Sequence, residues 1–427
     1  MKMNDVMKKL NFFLDKEELR DIEIKVKDFT ETLRESIRKK RIDAEAFIGG
    51  SFAKGTLAKS EEYDVDVFVR FNWKYEDLSY ELEGILNKLT KEKNMKIDRM
   101  HGSRDYFRIY KDRKLTFEIV PVVKIKKNSE ARNVTDLSYF HVNYVKRNLG
   151  EKMRKEVLLL KKFFKAAKVY GAESYINGFS GYGAECLIIA YKSFEKTLKE
   201  LLKVKENERI ILDPRKHYKN KNEVFIKVNE NKMRGPVILI DPTWKERNVL
   251  SALNWETFNV FQRRASAFLK SPSEKYFYLE RFDKDKLKEL AKKKNASLLK
   301  INLETDRQEG DIAGTKLKKF SKFLLSEIRK YFDILEEDFE YEGNKDANFY
   351  VVCKSKREYT KIGPPLERKD DVKAFKKANK NTFEKNGFVH SLMKIDFSVE
   401  DFLKRFASKE KDRKLVEMGI TGMRIEK

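Results

Sequence analysis

The sequence predicts an α+β protein of several domains. Three observations lead there. Short apolar runs of strand length alternate with helical patterns in the first third. The middle carries helical spacing almost throughout, and the last third returns to a β-α-β-β order. At 427 residues and 41% hydrophobic content, two to four domains with their own cores are expected. The boundaries read as an α+β domain over 1–135, a mostly helical central domain over 136–270, a small α+β domain over 271–362 and a basic tail over 363–427.

The elements follow in order. Residues 16–40 read as a charged amphipathic helix, and 44–48 as a short strand broken by Gly49-Gly50-Ser51. Residues 65–71 form a strand, and Tyr75, Leu78, Leu82, Ile85, Leu86 and Leu89 recur at helical spacing over 75–93. Residues 107–110 and 115–125 read as strands joined by the turn 111–114. In 152–168, Val157, Leu160, Phe164 and Ala167 form one helical stripe. A glycine-rich loop at 178–183 precedes a helix over 184–202, 236–241 reads as a buried strand, and 255–270 as a helix. Strands at 297–303, 339–341 and 349–352 flank a helix at 313–332. This suggests a ferredoxin-like or RNA-recognition-like sheet. Ile362-Gly363-Pro364-Pro365 reads as a linker, and the tail beyond it is rich in Lys and Phe.

Composition narrows the function. Against 69 Asp and Glu stand 94 Lys and Arg, a formal charge of +25. Heat adaptation enriches both signs and leaves this imbalance unexplained, whereas counterion release makes nucleic acid the leading partner class. With only Cys186 and Cys353, neither a disulfide framework nor a cysteine zinc site can be built, which fits a reducing compartment. No apolar run reaches ~18 residues and no signal-peptide core is present, so no membrane association and a cytoplasmic location are expected.

The chemistry-bearing pattern is Tyr63-Asp64-Val65-Asp66-Val67-Phe68-Val69. Side chains at i and i+2 of a strand share a face, so Asp64 and Asp66 stand together while Val65, Val67 and Val69 anchor the other face. Glu118 lies in a second apolar run between Phe117 and Ile119. If that run pairs beside the first, three carboxylates converge. Unneutralised, they are costly, and hard divalent ions such as Mg²⁺ prefer such oxygens. A solvated strand face is the duller reading. The Gly49-Gly50-Ser51 turn ahead of the acids can offer backbone N–H groups and the Ser51 hydroxyl to phosphate. From pattern alone, Lys161 reads equally as a snorkelling lysine, Tyr170 as packing, His141 as structural and Arg247 as a surface cation.

A family resemblance adds roles. The stretches Gly49-Gly50-Ser51-Phe-Ala-Lys54-Gly-Thr56, Asp64-Val-Asp66 and Phe117-Glu118-Ile-Val-Pro121 resemble the DNA polymerase β-like nucleotidyltransferase superfamily. Phe140-His141, Leu159-Leu160-Lys161, Val169 to Glu173, Gly178 to Tyr182, and Asp241-Pro242 with Arg247-Asn248-Val249 resemble its archaeal-type CCA-adding branch, the class I tRNA nucleotidyltransferases. The resemblance runs over roughly 40 to 400.

It implies a polymerase β-like palm holding two Mg²⁺ ions on Asp64, Asp66 and Glu118. It implies NTP triphosphate contacts from Ser51, Lys54, His141, Lys161 and Tyr170, and reading of C and A base edges by Arg247. The activity implied is template-independent addition of C, C and A to the tRNA 3′ end from CTP and ATP, with a homodimer as a possible assembly. Another RNA nucleotidyltransferase (poly(A), poly(U) or partial CC- or A-adding) and a non-catalytic RNA-binding protein are the alternatives.

Overall fold

The computed structural model describes residues 6, 9–10, 13–102, 104–206, 208–279, 283–410 and 414–426, without the side chains of 408–410. It forms two compact units, Met1–Glu280 and Arg281–Lys427. The first holds both the strand-rich and the helix-rich stretches expected as separate domains.

The N-terminal half of the first unit runs α1 (Lys16–Lys39), β1 (Ala44–Ile48), α2 (Gly50–Lys54), β2 (Tyr63–Phe71), α3 (Leu78–Lys93), β3 (Lys96–Met100), β4 (Tyr106–Tyr110) and β5 (Leu115–Val123). Helix α1 starts where the Asp15 carboxylate accepts from the Glu18 N–H, with acids in its first turn and bases in its last, as the helix dipole favours. The sheet order is β1-β2-β5-β4-β3. Strands β2 and β5 pair in parallel, and the other neighbours are antiparallel. Val65, Val67, Val69, Phe117 and Ile119 are fully buried in one core with residues of α1 and α3, where Phe29 stacks on Phe117 at 4.0 Å. That core anchors β2 and β5 by one face and leaves the other free for chemistry. Strand β3 is absent from the sequence reading because Lys96–Met100 has little apolar content to announce it.

Next come α4 (Ser138–Asn148), α5 (Glu151–Ala166), α6 (Gly181–Tyr191), α7 (Phe194–Leu201), β6 (Ile210–Leu212), α8 (Lys221–Lys227), β7 (Val237–Asp241), β8 (Trp244–Asn248) and α9 (Trp255–Lys270). The single helix expected over 184–202 is two. Lys192 adopts φ +73°, which ends α6, and the Ser193 hydroxyl caps α7. The core here is aromatic, with Phe163, Phe164, Phe179, Phe194, Phe258, Phe261, Phe268 and Phe277 all fully buried.

The second unit contains α10 (Lys284–Lys294), β9 (Ser297–Glu304), α11 (Asp311–Ile328), β10 (Phe332–Glu340), β11 (Asp346–Ser355), β12 (Glu358–Pro365), α12 (Lys369–Ala378), β13 (Thr382–Lys385), β14 (Phe388–Lys394), α13 (Val399–Glu410) and β15 (Gly422–Glu426). Its main sheet is antiparallel in the order β10-β11-β9-β15. With α11 and α13 as the two crossings, this is the ferredoxin-like order. Its fourth strand comes from the stretch read as a tail.

The stretch read as a linker, Ile362 to Pro365, instead ends β12. Proline is tolerated there because β12 is an edge strand and its pairing slips between Ile362 and Pro365. Among the described residues, no helix is long and apolar enough to cross a membrane.

Candidate active site

The parallel register of β2 and β5 sets Asp66 directly beside Glu118 and Asp64 beside Thr116. All three acids therefore leave the sheet on the face opposite its core. Burial, helped by the charges of Glu118 and then Asp64, raises the Asp66 carboxyl to about 6, against an opposing pull from Lys54. Burial also raises Glu118, while Arg108 pulls the other way. Arg108 is the register partner of Glu118 on β4 and donates to its Oε1 from Nε at 2.9 Å and Nη2 at 2.7 Å.

A strand face of three carboxylates, one of them held toward its neutral form by burial and by its neighbours' charge, fits a hard divalent cation in donor type and charge. As the side chains stand, no three His, Cys, Asp or Glu among the described residues are grouped to hold an ion. Arg108 sets a guanidinium charge beside Glu118, which a cation at this carboxylate would meet.

Gly49 and Gly50 lead into α2 at close quarters with Asp66. The Gly49 N–H donates to the Asp66 carbonyl at 2.8 Å. Gly50 has φ +58°, and a Cβ built on it would lie 1.7 Å from Asp66 Oδ2. Only glycine fits here, on both backbone and steric grounds. Ser51 sits partly buried on the same short helix, its carbonyl accepting from the Thr56 N–H at 2.9 Å.

Lys54, at the end of α2, and Lys161, on α5, meet at one carboxylate. Glu185 on α6 is fully buried. Its Oε2 accepts from Lys54 Nζ at 2.6 Å, and its Oε1 from Lys161 Nζ at 2.9 Å and Thr56 Oγ1 at 2.7 Å. Burial would raise this acid, yet Lys161 and Lys54 outweigh it and hold it at about 2. Tyr170, just past α5, is partly buried, and burial pushes its phenol well above the ordinary range. A Cβ on Gly181 would come within 2.8 Å of its hydroxyl and 3.9 Å of Lys161 Cε, so the start of α6 closes over both side chains.

His141 and Arg247 converge on a second buried acid, Asp241, at the end of β7. Its Oδ2 meets His141 Nε2 at 3.1 Å and accepts from Arg247 Nη1 at 2.6 Å. Its Oδ1 accepts from the Tyr182 hydroxyl at 3.1 Å and from the Thr243 N–H and hydroxyl, both at 2.8 Å. Burial opposes ionisation, but His141, Arg247 and the Thr243 amide hold Asp241 far below the usual carboxylate range. Tyr182 stacks on the His141 ring at 4.1 Å. Burial lowers the pKa of His141 despite Asp241.

Lys54 links these groups, since its charge acts on Asp66, Tyr170, Glu185 and His141 together. Lys54 is thus the group common to the sheet acids, the Glu185 cluster and the surroundings of His141. Sequence reasoning missed three members, Arg108, Glu185 and the hub role of Asp241. Glu185 left a signal, being the lone acid inside the apolar run Ala184–Ile189, where it must find a cationic partner.

Domain profiles give this arrangement a class. A nucleotidyltransferase domain profile matches residues 30–134, and a profile of the second domain of tRNA nucleotidyltransferases matches residues 155–278. The chain is a nucleotidyltransferase. A solved cytoplasmic RNA terminal U-transferase shares the fold, with TM-score 0.50 over 66% of this chain and 98% of its own at 13% identity. The CCA-adding enzyme of Nanoarchaeum equitans is 32% identical over 84% of this chain and 86% of its own. That of Sulfurisphaera tokodaii is 30% identical over 84% and 83%. The chain belongs to the CCA-adding enzyme family.

Proposed function

We propose that this protein adds C, C and A to the 3′ end of tRNA, taking CTP and ATP without a nucleic-acid template and releasing pyrophosphate. The parallel register that seats Glu118 beside Asp66, in a chain of this family, carries the reading. The +25 charge supports RNA as the partner.

Asp64, Asp66 and Glu118 are the residues that would hold two Mg²⁺ ions. When bound, those ions supply positive charge at the primer 3′-hydroxyl and at the departing pyrophosphate. The hydroxyl oxygen attacks the α-phosphorus of the NTP and the bond to the β-phosphate oxygen breaks. We assign Glu118 a part in activating the hydroxyl, through the carboxylate whose Oε1 Arg108 holds. Lys54 and Lys161 bind the triphosphate and neutralise charge where it develops, with Ser51, Tyr170 and His141 completing that contact. Arg247 donates from its planar fork to the acceptor edge of the incoming base. Asp241 holds Arg247 and His141 in register for this.

The test is direct. tRNA lacking CCA is incubated with the protein, CTP, ATP and Mg²⁺, and its 3′ ends are sequenced. Ordered C, C, A addition is expected; absence of C incorporation ends the proposal, and homopolymer tails assign the chain to another terminal transfer reaction. Asp66→Ala should abolish incorporation, and unchanged activity would remove the sheet acids from the reaction.

A further inference from the structure

Glu185 belongs to none of the groups expected to touch substrate, yet its carboxylate joins two that are. We propose that Glu185 is the positioning residue of the triphosphate site. In this role it fixes the ammonium groups of Lys54 and Lys161 relative to each other and to Asp66. The inference rests on the reading of those lysines as triphosphate ligands.

The geometry divides the carboxylate cleanly. Oε2 takes Lys54 at 2.6 Å, and Oε1 takes Lys161 at 2.9 Å and the Thr56 hydroxyl at 2.7 Å. The Thr56 hydroxyl also accepts from Lys161 Nζ at 3.1 Å. Glu185 is fully inaccessible, and both lysines are buried. Lysine is a point charge on a flexible four-carbon stem, and two such stems converging unaided would repel and spread over rotamers. One carboxylate between them removes the repulsion and leaves the trio with a single net positive charge for a triphosphate to meet.

The lysines come from different layers, Lys54 from the helix seated on the acid-bearing sheet and Lys161 from α5. Glu185 on α6 is therefore where the sheet side and the helical side of the site are tied together. Because α2 begins at Gly50, whose backbone lies against Asp66, a shift of Lys54 is also a shift of the element packed on the sheet acids. Lys54, Lys161 and the Thr56 hydroxyl together satisfy both oxygens of this buried carboxylate, so the three donors are held in one geometry.

The experiment compares full-length Glu185→Gln, Glu185→Asp, Lys54→Met and Lys161→Met. Binding of CTP and CMP is measured by calorimetry, single-nucleotide addition to tRNA lacking CCA by kinetics, and folding by thermal melting. Glu185→Gln keeps the shape but turns a donor toward one lysine. Its kcat should fall about 100-fold, the scale for losing one preorganised electrostatic contact, while KM for CTP moves less than about fivefold. Glu185→Asp keeps the charge on a shorter stem and should recover about tenfold of that loss.

A folded Glu185→Gln with kcat and KM within twofold of the unsubstituted chain overturns the proposal. So does a loss that Glu185→Asp does not relieve, since the carboxylate charge is then not what matters, or failure of both variants to fold, which assigns Glu185 to stability alone. If Lys54→Met and Lys161→Met weaken CTP and CMP equally, the triphosphate reading itself fails. If they weaken CTP selectively and the Glu185 variants change nothing, only the positioning role fails.

Discussion

The α-carbon of Gly50 faces the Asp66 carboxylate so closely that a methyl group added there would lie 1.7 Å from Oδ2. The glycine pair ahead of the acids is therefore more than a turn or a phosphate nest; its backbone is one wall of the Asp66 site. Gly50→Ala must move either α2 or the carboxylate, and at φ +58° it adds backbone strain of about 1 kcal/mol. Nucleotide addition should fall about 100-fold, because a displacement near 1 Å at reacting groups has that effect. Melting should drop by only a few degrees. Near-native activity in Gly50→Ala would show that Asp66 tolerates displacement.

A second prediction concerns Asp66 and pH. Its carboxyl is raised from 3.8 to about 6 by burial and by Glu118. Between those values the folded chain holds a proton that the unfolded chain has released, so stability falls as pH rises through this window. The full displacement corresponds to up to about 3 kcal/mol, lost by pH 7 in the absence of a cation. Asp66→Asn removes the titration. Without divalent ions it should melt higher than the unsubstituted chain at pH 7.5 and no higher at pH 4, while being inactive. Equal melting at pH 7.5 would mean that Asp66 ionises without strain.

Much of this was legible beforehand. The i, i+2 acids, the anchoring valines and the third acid between Phe117 and Ile119 follow from strand periodicity, and the register of β2 and β5 brings them side by side. What stayed hidden depends on side chains far apart in the chain. Glu185 and Lys54 are 131 positions apart, and Asp241 and His141 are 100 apart. No periodicity encodes such pairs, and only a buried acid in an apolar run hints that a partner exists. In the second unit, glycine and proline at 363–365 gave a linker signal because sequence cannot say that a strand is an edge.

Asp241 supports a third prediction. Its carboxylate is fully buried and serves His141, Arg247, Tyr182 and Thr243 together. A depressed carboxyl contributes stability above the ordinary range, lost as pH falls through and below it. Asp241→Asn should cost about 2–3 kcal/mol at pH 7, since it leaves the partly buried Arg247 guanidinium without its counter-charge. The loss should shrink on acidification. With Arg247 released, selection of CTP over UTP in competition should also decline. A variant that melts normally and selects normally would remove Asp241 from the base-reading arrangement.

The last prediction concerns Arg108. Two of its N–H groups hold Glu118 Oε1 at 2.7 and 2.9 Å, so a divalent cation drawn to this carboxylate meets a guanidinium charge beside it. Removing the arginine takes a like charge away from the cation; it also lets the Glu118 carboxyl rise, which opposes binding, so the comparison is made at pH 8.5, where that proton competes least. Arg108→Gln should therefore bind Mn²⁺ about 3–10-fold more tightly in the absence of nucleotide, as read by electron paramagnetic resonance, for a contact partly screened by solvent. The metal-free chain should lose no more than about 1 kcal/mol, because the arginine is a third exposed and its ion pair is discounted accordingly. Adding the ion should restore that loss, raising the melting temperature of Arg108→Gln more than that of the unsubstituted chain. Weaker Mn²⁺ binding would reverse the argument and make Arg108 the group that presents Glu118 to the ion.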